Sequence, residues 1–218
     1  MKITLRYMSI FVFTALLLTT LGGIGTAATL TVGPGQTYTN IQDAVDAATA
    51  GDTINVKAGT YNENIEISTN RLILKSVDGD GLAVIQGDGM DYAVEINGDI
   101  GITIDGFTVD GSGYDGIYHN GSNTITDPVT IINNTIQDCD DGFYASFGYM
   151  EGTTFTFTGN SVTGATGDGI YVYGFDGSTI NISNNTFTDC YDGMDVEEFS
   201  EGIESHAYVN NNTVIATS

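Results

Sequence analysis

A repeat of about 26 residues, built from two short motifs, constrains this chain more than any other feature. The first motif has a central position that falls at Phe107, Asn134, Asn160, Asn185 and Asn212, with spacings of 27, 26, 25 and 27 residues. The second motif is an Asp-Gly pair, and it begins at Asp115, Asp141, Asp168 and Asp192, with spacings of 26, 27 and 24 residues. Two motifs that share one period indicate a repeat architecture.

Each repeat predicts one coil of a parallel β-solenoid. The repeats contain runs of alternating apolar and polar residues, separated by Gly, Asn and Asp, and this pattern is typical of short strands joined by turns. In a solenoid each strand pairs with its equivalent one coil away, so like residues stack on like. The asparagines at positions 134, 160, 185 and 212 are therefore predicted to form a hydrogen-bonded ladder, with Phe107 stacked at its first position.

The N-terminal segment has the pattern of a secretory signal peptide. Lys2 and Arg6 precede an apolar stretch over 10–21, and small residues follow at 26–28. We predict a signal peptide over 1–28, cleaved after Ala27 or Ala28, with an uncleaved anchor helix as the alternative. The expected mature domain, 29–218, is a secreted protein of the cell surface or extracellular envelope, without membrane association after cleavage.

The two ends of the predicted solenoid differ. Ile41, Ala44, Val45 and Ala48 recur at helical spacing and predict an amphipathic helix over 39–50 that covers the N-terminal end. Nothing comparable follows the last repeat strand. We expect that this open edge pairs with another subunit, the alternative being that the last coil frays.

The repeats ending in Asn-Asn-Thr-Ile or Gly-Asn-Ser-Val, and the Asp-Gly-Ile-Tyr element, resemble those of right-handed parallel β-helix proteins in the pectate-lyase-like superfamily. The opening segments 37–48, 50–56 and 59–65 are similar to the start of secreted β-helix proteins, notably surface proteins of methanogenic archaea. The resemblance implies an all-β, right-handed parallel β-helix with a short N-terminal capping helix. It leaves function open, because this fold hosts lyases, hydrolases, adhesins and structural proteins.

Charge excludes several functions. The chain has 28 acidic and five basic residues, a net charge of −23, which disfavours nucleic acid and anionic membrane surfaces as partners. No Arg or Lys follows Lys75, so a lyase of this superfamily would lack its cationic base. A hydrolase would need clustered carboxylates, for which Asp141 and Asp168 are the candidates. We prefer to interpret each Asp-Gly pair as a turn in which Asp bonds its own backbone and Gly takes a positive φ.

Metal binding has weak candidates only. Stacked aspartates could bind Ca²⁺, and so could an acidic run consisting of Asp195, Glu197, Glu198, Glu201 and Glu204, although plain solvated surface is the preferred interpretation. No other cofactor is expected. His119 and His206 occupy non-matching repeat positions and are predicted to be surface residues.

Cys139 and Cys190 match in register two coils apart, with Ala165 or Thr166 between them. Two coils are about 10 Å, beyond the roughly 7 Å that a disulfide spans, so either buried thiols or bridges between molecules are expected. Five Asn-x-Ser/Thr sequons are glycosylation candidates, although the repeat's own turns explain most of them: Asn120, Asn133, Asn181, Asn184 and Asn211.

These observations lead to two functional hypotheses. The first is a non-catalytic extracellular structural protein that assembles with itself into a surface layer or sheath, with Cys139 and Cys190 as the candidate assembly cysteines. The alternative is an extracellular protein that binds or hydrolyses polysaccharide, with cell-surface polysaccharide as its expected partner. Its sugar-stacking platforms, beside Asp141 and Asp168, would be Tyr118, Tyr144, Tyr171 and Tyr173.

Overall fold

The computed structural model describes residues 26–89, 91–121, 124–146, 149–150, 152–175, 177–197 and 205–216. Within these ranges the chain forms one short helix and 23 strands, nearly all in three long parallel sheets. Within the same ranges, no helix has the length and apolar character needed to cross a bilayer.

The strands of each sheet come from successive coils. Sheet A contains β1 (Thr29–Val32), β2 (Thr53–Val56), β5 (Leu72–Ser76), β8 (Ile102–Asp105), β12 (Val129–Ile132), β16 (Thr154–Thr158), β19 (Thr179–Ser183) and β22 (His206–Asn210). Sheet B contains β3 (Gly59–Asn62), β6 (Ala83–Gln86), β9 (Phe107–Asp110), β13 (Thr135–Gln137), β17 (Ser161–Thr163), β20 (Thr186–Thr188) and β23 (Thr213–Ile215). Sheet C contains β4 (Ile65–Ile67), β7 (Tyr92–Asn97), β10 (Asp115–Asn120), β14 (Phe143–Ser146), β18 (Ile170–Tyr173) and β21 (Asp195–Glu197). A small separate pair joins β11 (Thr124–Ile125) to β15 (Tyr149–Met150).

The chain crosses sheets A, B and C in turn in each coil and then begins the next. Every strand pairing is parallel and joins equivalent residues, so Ile131 pairs with Ile104 on one side and with Phe157 on the other. Sheet B contributes one strand to each of seven coils. The predicted all-β parallel solenoid is therefore confirmed.

Apolar side chains from the three sheets fill the interior. Ile104, Ile131, Phe157 and Ile182 are all fully buried, and each lies one coil from the next. The rings of Phe157 and Phe187 stack at 6.4 Å between centroids. Burial of such residues in every coil supplies the main stabilisation of the fold.

The N-terminal helix, α1 (Ile41–Ala47), packs against β1, β2 and β4 and covers the first coil. It is shorter than the predicted 39–50, because Asn40 and Ala48 both have extended backbone conformations. Glu63, in the turn between β3 and β4, caps the helix, since its carboxylate accepts the N–H groups of Ile41 (2.7 Å) and Gln42 (3.0 Å). This cap satisfies two donors that the helix itself leaves unpaired.

The asparagines of the first repeat motif lie in register between sheets A and B. Asn160 Oδ1 accepts the backbone N–H of Asn134 at 2.9 Å, and Asn185 Oδ1 accepts that of Asn160 at 2.8 Å. Asn212 accepts the Asn185 N–H in the same way at 3.0 Å. Phe107 was predicted to stack on the ladder, but it joins the ladder through its backbone N–H, which donates to Asn134 Oδ1 at 2.9 Å. Its side chain is buried in the core.

Candidate functional site

The outward side of sheet C carries two columns of like residues. We call Tyr118, Tyr144 and Tyr171 the tyrosine column, because these residues pair directly across β10, β14 and β18. We call Asp115, Asp141 and Asp168 the carboxylate column, which lies at the entrance to the same strands and continues to Asp192 through a bridge from Asp168. The solenoid therefore places an aromatic row beside an acidic row along its axis.

The tyrosine column is a continuous stack of rings. Centroids are 5.4 Å apart between Tyr118 and Tyr144, and 5.0 Å apart between Tyr144 and Tyr171. Tyr92 extends the stack, since its ring lies 6.1 Å from that of Tyr118 with an interplanar angle of only 12°. The rings of Tyr118 and Tyr144 thus have a tyrosine on both sides, which leaves the ends of the stack as the better places for a sugar ring to pack.

The carboxylate column is held together by bonds between coils. The carboxylate of Asp115 accepts the backbone N–H of Asp141, and that of Asp141 accepts the N–H of Asp168 at 2.6 Å. At Asp115 and Asp141 the predicted bond to the residue's own backbone is therefore wrong, since the carboxylate accepts from the next coil instead. A parallel coil places the next aspartate's N–H within reach of each carboxylate.

The glycines that follow these aspartates also differ from the prediction. Gly116, Gly142, Gly169 and Gly193 do not have positive φ angles. They are required for space, because a Cβ on Gly142 would lie 2.4 Å from the carbonyl oxygen of Gly169 and 2.6 Å from Val162. A column of glycines therefore lets successive coils approach closely beside the carboxylates.

The environment of the carboxylate column favours the neutral acids. Burial, with the neighbouring charges of Asp141 and Asp140, raises the pKa of Asp115 to about 6. Burial and three neighbouring aspartates likewise raise the pKa of Asp168 to about 6. For Asp141 the pKa is raised for the same reasons, burial first and then Asp140. The pKa values of Asp115, Asp141 and Asp168 therefore all lie above the ordinary value for aspartate.

A cleft of about 290 Å³ opens where the two columns begin. It is lined by Asp91, Tyr92, Glu95, Asp115 and Tyr118. A hydrogen bond with Glu95, together with burial, raises the pKa of Tyr92 to about 12, so its phenol stays protonated. Glu95, only 7% exposed, also accepts the Asn120 side-chain amide at 3.3 Å.

A second cleft, of about 310 Å³, adjoins the first on the other side of Tyr92. Asp91 and Tyr92 line both clefts, and the second is completed by Asn64, Glu66 and Asp88. The free end of the tyrosine stack therefore separates two polar hollows. Hydrogen-bond acceptors surround an aromatic ring there, which is the combination that sugar-binding sites use.

Basic side chains lie elsewhere. The strands of sheet C contain no Lys or Arg. Arg71 pairs with Asp127 at 2.8 Å, and Lys75, on sheet A, pairs with Asp105 at 2.7 Å. Neither of these ion pairs lines the cleft at Tyr92.

The two cysteines are free thiols at equivalent positions two coils apart. Hydrogen bonds from Thr166 to the Cys139 carbonyl and from Tyr191 to the Ala165 carbonyl place Ala165 between Cys139 and Cys190. Cys139 is 1% exposed, which does not fit a bridge to a neighbouring molecule, whereas Cys190 is partly exposed. An intermolecular bridge would therefore have to use Cys190.

His119 was predicted from the sequence to be a surface residue, and this prediction is wrong. It is fully buried, and its Nε2 lies 3.4 Å from the carbonyl oxygen of Ile100. Burial lowers its pKa to about 4, so the imidazole is neutral at physiological pH. His206, by contrast, is exposed and stacks on Tyr208.

The predicted acidic run is only partly within the described residues. Asp195 and Glu197 lie on β21, whereas Glu198, Glu201 and Glu204 lie outside the described residues. Among the side chains that the structure describes, no three His, Cys, Asp or Glu residues form a group able to hold a metal ion. Calcium binding here stays a prediction.

The sequons lie mainly in turns. Asn133, Asn184 and Asn211 are exposed with φ angles of 57°, 58° and 55°, Asn120 is exposed at the end of β10, and Asn181 is partly buried on β19. The left-handed conformation, which asparagine tolerates well, explains three of these asparagines without a glycan.

Solved structures with a similar fold include polysaccharide-acting enzymes. A mutant pectin methylesterase in complex with a hexasaccharide matches with a TM-score of 0.50 and 18% identity, over 89% of this chain and 68% of its own. Pectin methylesterase from Aspergillus niger matches with a TM-score of 0.47 and 14% identity, over 87% of this chain and 86% of its own. A mutant PL6 family alginate lyase matches with a TM-score of 0.47 and 15% identity, over 87% of this chain and 40% of its own. At these identities the likeness is one of fold alone.

Sequence comparison is consistent with this fold. No curated protein sequence gives a significant match. The family model described as "Right handed beta helix region" matches residues 92–218, more than half of the chain. The protein therefore belongs to the right-handed β-helix family.

Proposed function

We propose that the protein binds polysaccharide on the outward side of sheet C, with its main subsite in the cleft at Tyr92. One observation carries this proposal: the free end of a four-ring tyrosine stack lies in a cleft of about 290 Å³ framed by Asp91, Glu95 and Asp115. An aromatic surface packs against the apolar face of a sugar, while carboxylates accept hydrogen bonds from its hydroxyl groups.

A glycan would lie along the solenoid axis. The second cleft continues the surface beyond Tyr92, and the hydroxyl groups and ring edges of the tyrosine column continue it in the opposite direction. Equivalent residues one coil apart repeat about every 4.8 Å. A chain of sugars with a similar repeat therefore meets similar groups in successive coils.

Charge selects the type of sugar. The cleft has three carboxylates and no basic side chain among its lining residues, so an ionised uronate would be repelled. A neutral sugar meets no such penalty, and an amine-bearing sugar gains attraction to the carboxylates and to the tyrosine face. We therefore assign the site to neutral or amine-bearing glycans.

The proposal is for binding rather than hydrolysis. The carboxylates of Asp115 and Asp141, the latter one of our two catalytic candidates, already accept backbone N–H groups from the adjacent coil. A nucleophilic carboxylate must be directed at the sugar, whereas the Oδ1 atoms of these two carboxylates are directed at the backbone of the next coil. We infer that the column mainly holds the coils in register beside the binding surface.

Isothermal titration calorimetry with three oligosaccharides of equal length tests the proposal. The probes are a chito-oligosaccharide with free amines, its N-acetylated counterpart and an oligogalacturonate. We expect binding of the first two and none of the third at pH 7. Release of reducing ends from the same mixtures would show that the protein is instead a hydrolase.

Matched variants locate the site. Tyr92→Ala removes the free ring of the stack and should weaken binding at least tenfold, the effect expected for loss of about 1.4 kcal/mol of stacking. Tyr208→Ala removes a tyrosine that is 52% exposed on sheet A and should leave binding unchanged. Equal effects of the two substitutions, or no binding of any probe, would rule out this site.

Self-assembly is a second candidate function. The last described coil exposes apolar side chains that are buried in the preceding ones, with Val209 48% exposed and Val214 60% exposed. Their equivalents one coil earlier, Ile182 and Phe187, are fully buried. Assembly through this surface predicts concentration-dependent oligomers in analytical ultracentrifugation that Val214→Asp abolishes. A monomer at all concentrations would exclude it, and the sheath role with it.

A further inference from the structure

Asp52 is a buried carboxylate at the start of the solenoid. It is 5% exposed, and both of its oxygens accept hydrogen bonds from neutral groups. Oδ2 accepts the N–H and the hydroxyl of Thr49, at 2.8 and 2.9 Å, and Oδ1 accepts the N–H of Ala28 at 2.6 Å. Among the described residues, neither ion pair involves Asp52.

The hydrogen bonds from Ala28 and Thr49 lower the pKa of Asp52, so the carboxylate is ionised, and neither ion pair among the described residues supplies it with an opposite charge. A cation at the Ala28 nitrogen would provide one. That nitrogen is already fixed, because the Ala28 carbonyl accepts the N–H of Thr53 at 2.9 Å and β1 begins at the next residue. Thr26, Ala27 and Ala28 are all exposed and precede the first strand, but Ala28 differs from the other two in being held by these two hydrogen bonds.

We propose that the leader is cleaved between Ala27 and Ala28, and that the new α-ammonium group of Ala28 forms an ion pair with Asp52. The inference rests on the predicted signal peptide and on a leader peptidase of the secretory route. Water supplies the atoms: its oxygen forms the bond to the Ala27 carbonyl carbon as the C–N bond breaks, and a proton goes to the Ala28 nitrogen. The amine gains one more proton at neutral pH, since α-amino groups have a pKa of about 7.7–8.0.

The other predicted cleavage, after Ala28, has a different structural outcome. It removes the donor to Asp52 Oδ1 and also the carbonyl that accepts the Thr53 N–H. A buried carboxylate oxygen would then lack its partner, a change that is costly in a protein interior. The contacts of Ala28 therefore distinguish two sites that the sequence alone leaves equivalent.

The first test needs no variant. The full chain is expressed in a secreting host, and the exported protein is examined by intact mass and N-terminal sequencing. We expect a mature N-terminus at Ala28. A mature protein that begins at Thr29 or at any other residue, or that retains the leader, would overturn the proposal.

The second test measures the ion pair itself in the mature protein. The rate at which an amine-reactive ester acylates the Ala28 amine at pH 7 should rise about tenfold in Asp52→Asn, the effect of lowering the amine pKa by one unit. Asp43→Asn, which removes a charge from the exposed face of α1, is the matched control and should leave the rate unchanged. Equal rates in all three proteins would overturn the ion pair.

If Asp52→Asn does not fold, an NMR titration of the wild-type α-amine gives the same information. An ion-paired amine should titrate above its ordinary range of about 7.7–8.0. Titration within or below that range would overturn the pairing. Neither result depends on the glycan-binding proposal, which concerns sheet C.

Discussion

The carboxylate of Asp115 accepts a hydrogen bond from the backbone N–H of Asp141 one coil away, at a distance of 3.2 Å. Burial nevertheless raises the Asp115 pKa from 3.8 to about 6, so the folded protein keeps this proton at pH values where the unfolded chain has lost it. The contribution of Asp115 to stability is therefore fully present below pH 3.8 and is lost as the pH rises to about 6.

Asp115→Asn should remove this pH dependence. The amide keeps an acceptor for the Asp141 N–H and carries no charge, so we expect the variant to be more stable than the wild type by roughly 1–3 kcal/mol at pH 7, and similar to it at pH 4. Urea unfolding at both pH values measures the difference. An equal effect at pH 4 and pH 7 would contradict the assigned pKa shift.

His119 should act in the opposite direction. Its folded-state pKa is lowered from 6.5 to about 4, so the unfolded chain gains a proton first as the pH falls. Stability from this residue is present above pH 6.5 and is lost between 6.5 and about 4, by roughly 3 kcal/mol. An NMR titration of the His119 ring should show no protonation until about pH 4, whereas a midpoint near 6.5 would mean that the ring is accessible to water.

Gly142→Ala should be strongly destabilising because of crowding between coils. The new Cβ would lie 2.4 Å from the Gly169 carbonyl oxygen, and we expect a loss of about 3 kcal/mol. Gly164→Ala is the comparison, since Gly164 has a φ of +72° and no atom within 4 Å of the added Cβ, so only backbone strain of about 1–2 kcal/mol applies. In thermal unfolding, the Gly142→Ala variant should therefore have a lower midpoint temperature than the Gly164→Ala variant.

Asn160→Ala should break the asparagine ladder in its middle. It leaves the buried N–H of Asn134 and the buried carbonyl of Ile131 without the partners that Asn160 provides at 2.9 Å each. Each unsatisfied group costs about 1–3 kcal/mol, so we expect a total of about 2–6 kcal/mol in denaturant unfolding. Asn211→Ala is the comparison, since Asn211 is exposed and has a left-handed φ of 55°, so a smaller loss of about 1–2 kcal/mol from backbone strain is expected there.

The two thiols should differ in reactivity. Burial raises the pKa of Cys139 to about 12, whereas Cys190 is partly exposed with a smaller rise in pKa. Alkylation of the native protein, followed by peptide mass analysis, should therefore modify Cys190 well before Cys139. If reductant-sensitive dimers form, Cys190→Ser should abolish them and Cys139→Ser should not.

The fold was predictable where the repeat is regular. From Phe107 onward each coil carries the first motif, with asparagine at its central position in every coil after the first of these. The strand registers of these coils follow directly from the spacing of that motif. In the two preceding coils the equivalent positions are Ala83 and Gly59, which carry no recognisable motif. Those coils are held by ordinary apolar packing, which many sequences satisfy equally well.

The candidate site was only partly predictable. Tyr118, Tyr144 and Tyr171 share a motif position, but Tyr92 stands in register with Asp115 and reaches the stack from outside that motif. The burial of His119 did have a signal, because it lies two residues after the buried Ile117 and so points to the same side of β10. The close packing of the Asp-Gly glycines depends on neighbouring coils, which a local turn rule does not consider.

The capping of helix α1 by Glu63 has a kinetic consequence. The helix that covers the first coil obtains its cap from the turn between β3 and β4, about 20 residues later, so the helix cannot reach its final form before that coil has formed. Each later coil adds to an existing edge through nearest-neighbour contacts, as in a one-dimensional growth process. The smallest stable nucleus at this end is therefore α1 together with the first complete coil, β2 to β4, rather than the helix alone.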